Sequence, residues 1–276
     1  MGVSALDLLR EQTLLNKSTF CQMVDVEAMI ISLTGVDRAR LYSDPPLLNK
    51  DKIFALLAMI DRRISGVSLA YILEKKGFWN IDLKVNENVL VPRPETETLI
   101  ELILEQFGNN KLTILDAGTG SGAIALALSH ERKRWDVFAL DCSSKALSVA
   151  RENIFNLNLK VKLIRSKWLE CISDSAFDLI VSNPPYIDSR DERLKGDGVL
   201  FEPLEALVSD NEGLDDLYEL IRASRRCLKP KGILYLEHAP EQSKDIRLYM
   251  EKYEYTNVKL CKDLNGDDRI TFATTN

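Results

Sequence analysis

Three observations in the amino-acid sequence predict an α/β protein with a mostly parallel sheet, preceded by a small helical domain. After Lys111 short β-branched runs alternate with helical stretches, the pattern of parallel strands joined by crossover helices. Before Ala70 the apolar periodicity is helical. Near the carboxyl terminus two strand-like runs flank Asn265-Gly266, so the sheet is expected to finish on an antiparallel hairpin.

Composition sets the bounds. A chain of 276 residues suits one large domain and a smaller one. With 45% hydrophobic and 28% charged residues it reads as a soluble globular protein. A formal net charge of -6 lacks the basic footprint of a protein that holds a long stretch of nucleic acid. Cys21, Cys142, Cys171, Cys227 and Cys261 are scattered and never spaced as CxxC, so neither a disulfide framework nor a metal site is expected, and a cytoplasmic location fits. The longest apolar run, 53–60, is too short to span a membrane, and no basic-then-apolar secretory segment opens the chain.

Residues 1–75 are expected to form a helical bundle. Val26, Met29, Ile30 and Leu33 recur at i, i+3, i+4 and i+7, as do Ile53, Leu56, Leu57 and Ile60, and Asp44-Pro45-Pro46 separates the two stretches. These stripes suit the bundle's own core or a face that recognises another protein. Residues 76–97 read as a linker with β-prone pieces at 78–79, 81–85 and 89–91, expected to include a hairpin. "VPRPETE", 91–97, leads into an amphipathic helix over 98–107, with Pro94 near its start and Gly108 past its end. From spacing alone, Arg93, Glu95 and Glu97 read as a solvated helix start. The remaining domain, 98–276, carries strands at 112–116, 135–140, 161–164, 177–182 and 232–237, helices at 122–129, 145–156 and 214–228, and final strands at 258–260 and 269–272.

Ligands of such sheets bind beyond the carboxyl ends of the strands, so those ends carry the functional argument. The first ends in "LDAGTGSGAIAL", where Gly118, Gly120 and Gly122 permit a tight turn and a helix start offers N–H groups to an anion. The spacing is GxGxG rather than the GxGxxG of a dinucleotide site, so a nucleoside with a single carboxylate, such as S-adenosylmethionine, suits it equally; a merely tight turn is the other reading. The second strand ends in Asp141, an acceptor for ribose hydroxyls or an N-cap for the following helix. Trp168, after the third, is a face for adenine or a core aromatic.

The fourth strand ends in Asn183-Pro184-Pro185-Tyr186. A planar amide or amino nitrogen has its lone pair tied up in resonance, so using it as a nucleophile requires both its protons to be held and the nitrogen to be aimed. Asn183 Oδ1 supplies one acceptor and the Pro184 carbonyl the other, while Pro185 removes an N–H that would compete for that carbonyl. Tyr186 offers a flat face to the planar group or to a sulfonium charge. Of the two histidines, His130 and His238, the second stands at a strand end but reads as a satisfied core residue.

With these segments together, the chain resembles the class I S-adenosylmethionine-dependent methyltransferases. Within them it resembles the protein-(glutamine-N5) methyltransferases that modify peptide chain release factors, the HemK/PrmC family. "VPRPETE", "LDAGTGSGAIALALS", "ALDCSSKALSVARENI", "IVSNPPYI", "FEPLEAL", "EGLDDL", "LKPKGILYLEH" and "DLNGDDRI" carry the resemblance. It implies a Rossmann-like, mostly parallel seven-stranded sheet with an antiparallel end. It further implies that Gly118, Thr119, Gly120, Ser121 and Gly122 wrap the methionine end of the cofactor, with Asp141 at the ribose, Trp168 by the adenine and Asn183 between cofactor and substrate. Asn183, Pro184, Pro185 and Tyr186 would hold the glutamine amide of the Gly-Gly-Gln tip of class I release factors, and the helical domain would dock that protein. Ala117 and Ala239 depart from the family, which usually has a bulkier apolar residue and a glycine there. An aminomethyltransferase of nucleic acid, a dinucleotide-dependent oxidoreductase and a non-catalytic binder are the alternatives; neither nucleic acid nor a membrane is expected as a direct partner.

Overall fold

The structure, a computed structural model, describes residues 2–15 and 20–276. It divides into two compact units, Met1–Lys75 with Lys195–Phe201, and Lys76–Leu194 with Glu202–Asn276.

In the first unit β1 (Val3–Ser4) pairs with β2 (Leu47–Leu48), and the helices are α1 (Ala5–Leu15), α2 (Met23–Thr34), α3 (Arg38–Ser43), α4 (Lys50–Ile64) and α5 (Leu69–Leu73). Their starts follow from the sequence: Asp37 accepts from Arg40 N, Asn49 from Lys52 N and Ser68 from Tyr71 N, each satisfying an N–H with no intrahelical partner. Val26, Met29 and Ile30 of α2 and Leu56 and Ile60 of α4 are buried in one apolar cluster, so the two stripes are core. The segment Lys195–Phe201 is fixed to this unit by Arg63, a buried guanidinium that donates to Asp25 Oδ2 and pairs with Asp197.

The second unit opens with the hairpin β3 (Lys75–Phe78) and β4 (Ile81–Lys84) and continues through α6 (Glu95–Gln106), β5 (Thr113–Ala117), α7 (Ala123–Glu131), β6 (Asp136–Asp141), α8 (Ser144–Leu157), β7 (Val161–Arg165) and β8 (Phe177–Ser182). After a long connection come the short turn α9 (Asp210–Gly213), α10 (Asp215–Cys227), β9 (Leu228–Glu237), α11 (Ser243–Lys252), β10 (Thr256–Lys262) and β11 (Asp268–Thr274). The expected piece at 89–91 forms no strand: Val89 N closes a turn on Asn86 O, Pro92 has no N–H to give a ladder, and Val89 and Val91 are buried as packing instead.

Seven strands form one sheet in the order β10-β11-β9-β8-β5-β6-β7. The pairs among β9, β8, β5, β6 and β7 are parallel, and β11 runs antiparallel to both β9 and β10, as the Asn265-Gly266 turn implies. Alternation splits the core between the two faces. Ile114, Val137, Leu179, Val181 and Tyr235 face α6 and α7, whereas Leu115, Leu140, Ile180 and Leu234 face α10 and α11. Because β5 lies between β6 and β8, the turn after β5, the end of β6 and the segment after β8 open side by side.

Candidate active site

The turn after β5 is built around a buried acid. Asp116 Oδ2 accepts from Thr119 Oγ1 at 2.5 Å and from Ala125 N at 3.1 Å, so a single carboxylate oxygen ties the loop to the first turn of α7. Its Oδ1 is buried without a partner, and burial pushes the carboxyl up to about 7. Thr119 is thereby turned inward as a strut, and Ser121, also buried, gives its carbonyl to Asn153 Nδ2 at 2.9 Å. Gly118 and Gly120 are left-handed at φ 76 and 56. A Cβ on Gly118 would come within 3.3 Å of the Trp168 ring, whereas one on Gly120 would meet nothing within 4 Å and would stand in the cavity that Gly120 lines.

That cavity holds about 300 Å³, room for a nucleoside-sized ligand. Val89, Leu90, Leu140 and Ala146 supply apolar wall, and Trp168, Asp141, Asn183 and Pro185 also line it. Asp141 is not the cap of α8, since that task falls to Ser143, whose Oγ accepts from Ala146 N. Instead Asp141 Oδ2 accepts from Gly120 N and Oδ1 from Ser143 N, both at 2.9 Å. Each oxygen keeps a further lone pair for a hydroxyl of a sugar. Burial raises the Asp141 pKa, against the lowering effect of those backbone donors. The Trp168 indole is anchored through Nε1 to Asp216 Oδ1 at 2.9 Å, which holds its ring as a wall of the cavity rather than as deep core.

Asn183 also lines a second, smaller cavity with Thr96, Arg93, Thr119 and Ser121; Leu90, Gly118 and Gly120 are likewise shared by both. Asn183 Nδ2 donates to Thr96 Oγ1 at 3.1 Å. Among the described residues, neither Asn183 Oδ1 nor the Pro184 carbonyl takes a hydrogen bond. Pro185 lines the larger cavity. Tyr186 lines neither: its ring packs with the core beneath α10, its hydroxyl meets Glu237 Oε1 at 3.5 Å, and its carbonyl accepts from Gln242 Nε2 at 3.0 Å. Burial pushes its phenol far above the ordinary range, so it stays protonated.

The start of α6 is not solvated, contrary to the expectation from spacing. The helix begins at Glu95, Glu97 accepts from Trp79 N at 3.0 Å, and Arg93 donates to Glu202 Oε2 at 2.8 Å. Glu202 is buried, and desolvation pushes its carboxyl up to about 7 even against the Arg93 charge. Sequence reasoning did not single out Thr96, Asp116, Glu202, Asp216 or Glu237; the segments holding Glu202 and Asp216 were visible only through the family resemblance. His238 is satisfied core, as expected: Nδ1 faces the Ala239 carbonyl and Nε2 the Thr271 hydroxyl, both at 2.8 Å, and burial lowers its pKa. Ala239 has φ -72, an ordinary value for any residue, so nothing in the backbone there calls for the family's glycine. Among the described residues no helix is long and apolar enough to cross a membrane, and no three His, Cys, Asp or Glu side chains are grouped to hold a metal ion.

A glycine turn after the central strand, an acid at the end of its neighbour and Asn-Pro-Pro-Tyr after the strand on the other side, in this strand order, define a class I S-adenosylmethionine-dependent methyltransferase. The family described as "Methyltransferase small domain" matches residues 95–202. A release factor glutamine methyltransferase of Shewanella oneidensis is 39% identical over 252 residues, covering 91% of this chain and 88% of the relative. Its counterpart from Aliivibrio fischeri is 36% identical and covers 99% of this chain and 98% of its own length. Among solved structures, a methyltransferase from Pyrococcus furiosus shares the fold with a TM-score of 0.55 at 20% identity, over 82% of this chain and 98% of that one. The chain belongs to the family of release factor glutamine methyltransferases.

Proposed function

We propose that this enzyme transfers a methyl group from S-adenosylmethionine to the side-chain amide nitrogen of the glutamine in the Gly-Gly-Gln motif of peptide chain release factors, as a cytoplasmic step that serves translation termination. The names of the relatives supply the substrate, and the site fits the cofactor. Gly120 leaves space that a Cβ would fill, Asp141 has lone pairs for two ribose hydroxyls, and Trp168 offers a flat wall. S-adenosylmethionine supplies the electrophilic methyl. Gly118 to Gly122 would hold its methionine end, with Asp141 at the ribose and Trp168 at the adenine.

The observation that carries the reading is a pair of open acceptors next to each other in the chain, Oδ1 of Asn183, which lines both cavities, and the carbonyl of Pro184. They accept the two protons of the target amide and so aim its nitrogen along the line of attack. Pro184 and Pro185 fix the direction of the carbonyl, and Tyr186 anchors the segment from below. The work is positioning and electrostatics. No general base is required, because a methylated amide nitrogen is strongly acidic and loses its proton to water.

The helical unit would contribute to docking the release factor, and the negative net charge disfavours nucleic acid as a substrate. The test is labelled methyl transfer onto purified release factor, onto a variant with the tip glutamine replaced, and onto DNA and RNA. Label is expected on the intact factor alone; label confined to nucleic acid overturns the reading.

A further inference from the structure

Asn153 of α8 is 1% exposed, and a polar side chain so deeply buried must find its hydrogen bonds inside the protein. It makes three. Oδ1 accepts from Lys84 N at 2.7 Å, and Nδ2 donates to the Lys84 carbonyl and to the Ser121 carbonyl, both at 2.9 Å. These partners leave the amide one orientation. Turned over, its NH₂ group would face the Lys84 N–H and its oxygen would face two carbonyls.

Toward the hairpin the amide acts as a piece of strand. β4 belongs to a two-stranded sheet with β3, so its outer edge needs partners. Asn153 exchanges an N–H and a C=O bond with Lys84, as a residue of a neighbouring antiparallel strand would. Toward the sheet the same amide completes the glycine turn. Ser121 is 3% exposed, and the donor four residues on, Ala125 N, is given to Asp116 Oδ2 at 3.1 Å. Asn153 therefore supplies the partner of the Ser121 carbonyl and fixes the peptide plane from Ser121 to Gly122. Ala150, one turn earlier on α8, faces the same turn, its Cβ 3.5 Å from where a Cβ on Gly122 would stand.

Both partners lead into the cofactor cavity. Past Lys84 the chain runs to Asn88, Val89 and Leu90, which line it, and the glycine turn lines it through Gly118 and Gly120. Leu90, Thr119 and Ser121 also border the smaller cavity, whereas neither Lys84 nor Asn153 lines either one. We propose that Asn153 is a positioning residue for the cofactor, a buried amide that clamps the hairpin to the glycine turn and so sets two walls of the cofactor cavity against each other. The inference rests on the cavity being the S-adenosylmethionine site and not on the identity of the methyl acceptor.

The test uses two substitutions. Asn153→Leu keeps the branched shape and removes every hydrogen bond, and Asn153→Asp keeps the acceptor for Lys84 N. Ionised, the new carboxyl sets an oxygen against two carbonyls; protonated, its O–H donates to one of them. Binding of S-adenosylhomocysteine is measured by calorimetry on both variants and wild type at pH 5.5 and 8.5, beside kcat for release-factor methylation at saturating cofactor. Asn153→Leu is expected to raise Kd by about 10- to 100-fold, with kcat within about threefold of wild type. Asn153→Asp is expected to bind as poorly at pH 8.5 and to recover by at least about fivefold relative to wild type at pH 5.5, which a general loosening of the fold would not do. A Kd within about twofold of wild type for both variants, an Asn153→Asp deficit that does not change with pH, or a fall in kcat at saturation as large as the rise in Kd overturns the clamp. Wild-type enzyme that fails to bind S-adenosylhomocysteine instead overturns the reading of the cavity. Should neither variant fold, hydrogen exchange on the wild type decides. S-adenosylhomocysteine is expected to slow exchange at Lys84 N by at least about tenfold although Lys84 does not line the cavity, and an unchanged rate there overturns the clamp.

Discussion

At the scale of the residue, the site rests on a few side chains whose alternatives are worse. Asn183→Ala removes one of the two acceptors proposed for the target amide and leaves the rest of the cofactor cavity's lining in place. The expected outcome is a loss of about 10²–10³-fold in kcat with S-adenosylhomocysteine affinity largely kept, read by steady-state methylation beside calorimetry. Gly120→Ala should do the reverse, weakening cofactor binding first, because φ 56 is strained for alanine and its Cβ enters the ligand's space. Glu202 sets a pH-dependent case. Its carboxyl titrates near 7 in the folded protein, above the unfolded value, so burial makes its ionisation unfavourable, and Arg93 offsets part of that penalty. Without Arg93 the folded pKa rises further. Arg93→Ala should then be mild at pH 5, where Glu202 is protonated either way, and destabilising by about 2 kcal/mol at pH 8, a figure discounted for the partial exposure of Arg93. Denaturant melts at the two pH values check the sign.

At the scale of the element, the segment after β8 is held by a close approach that no sequence pattern marks. Gly213, at φ 82, lies under the Tyr186 carbonyl so closely that an added Cβ would stand 2.1 Å from that oxygen. Gly213→Ala must displace either α9 or Tyr186. A loss of at least about tenfold in activity, with a lower melting temperature, is expected from paired activity and thermal-denaturation measurements. The same scale explains what the sequence made legible. The glycine turn, Asp141 and Asn183 were readable because each closes a strand, and strand ends carry sites in parallel sheets. Thr96 was not: its partner Asn183 is 87 positions away, and within "PETE" it reads as one more polar residue at a helix start. Glu237 looked like an ordinary strand end, and its burial depends on the neighbouring β11 and Tyr186. The piece at 89–91 misled because β-branched residues suit a strand or a buried extended wall equally, and only a ladder partner distinguishes them.

At the scale of the whole molecule, the second unit is a scaffold that brings three strand ends side by side, and the first supplies a separate, well-packed helical surface. Cofactor binding to the folded state alone should stabilise the enzyme. At a concentration 100 times Kd the gain is about 2.7 kcal/mol, a rise of about 5–10 °C in Tm, and Gly120→Ala should lose it. The central claim, that the open acceptors at Asn183 and Pro184 serve a glutamine amide, is tested most directly by tandem mass spectrometry of release factor incubated with enzyme and S-adenosylmethionine. One added methyl on the side-chain nitrogen of the Gly-Gly-Gln glutamine, absent with Asn183→Ala, is the expected result; a methyl on any other residue, or an unmodified factor beside active enzyme, would contradict it.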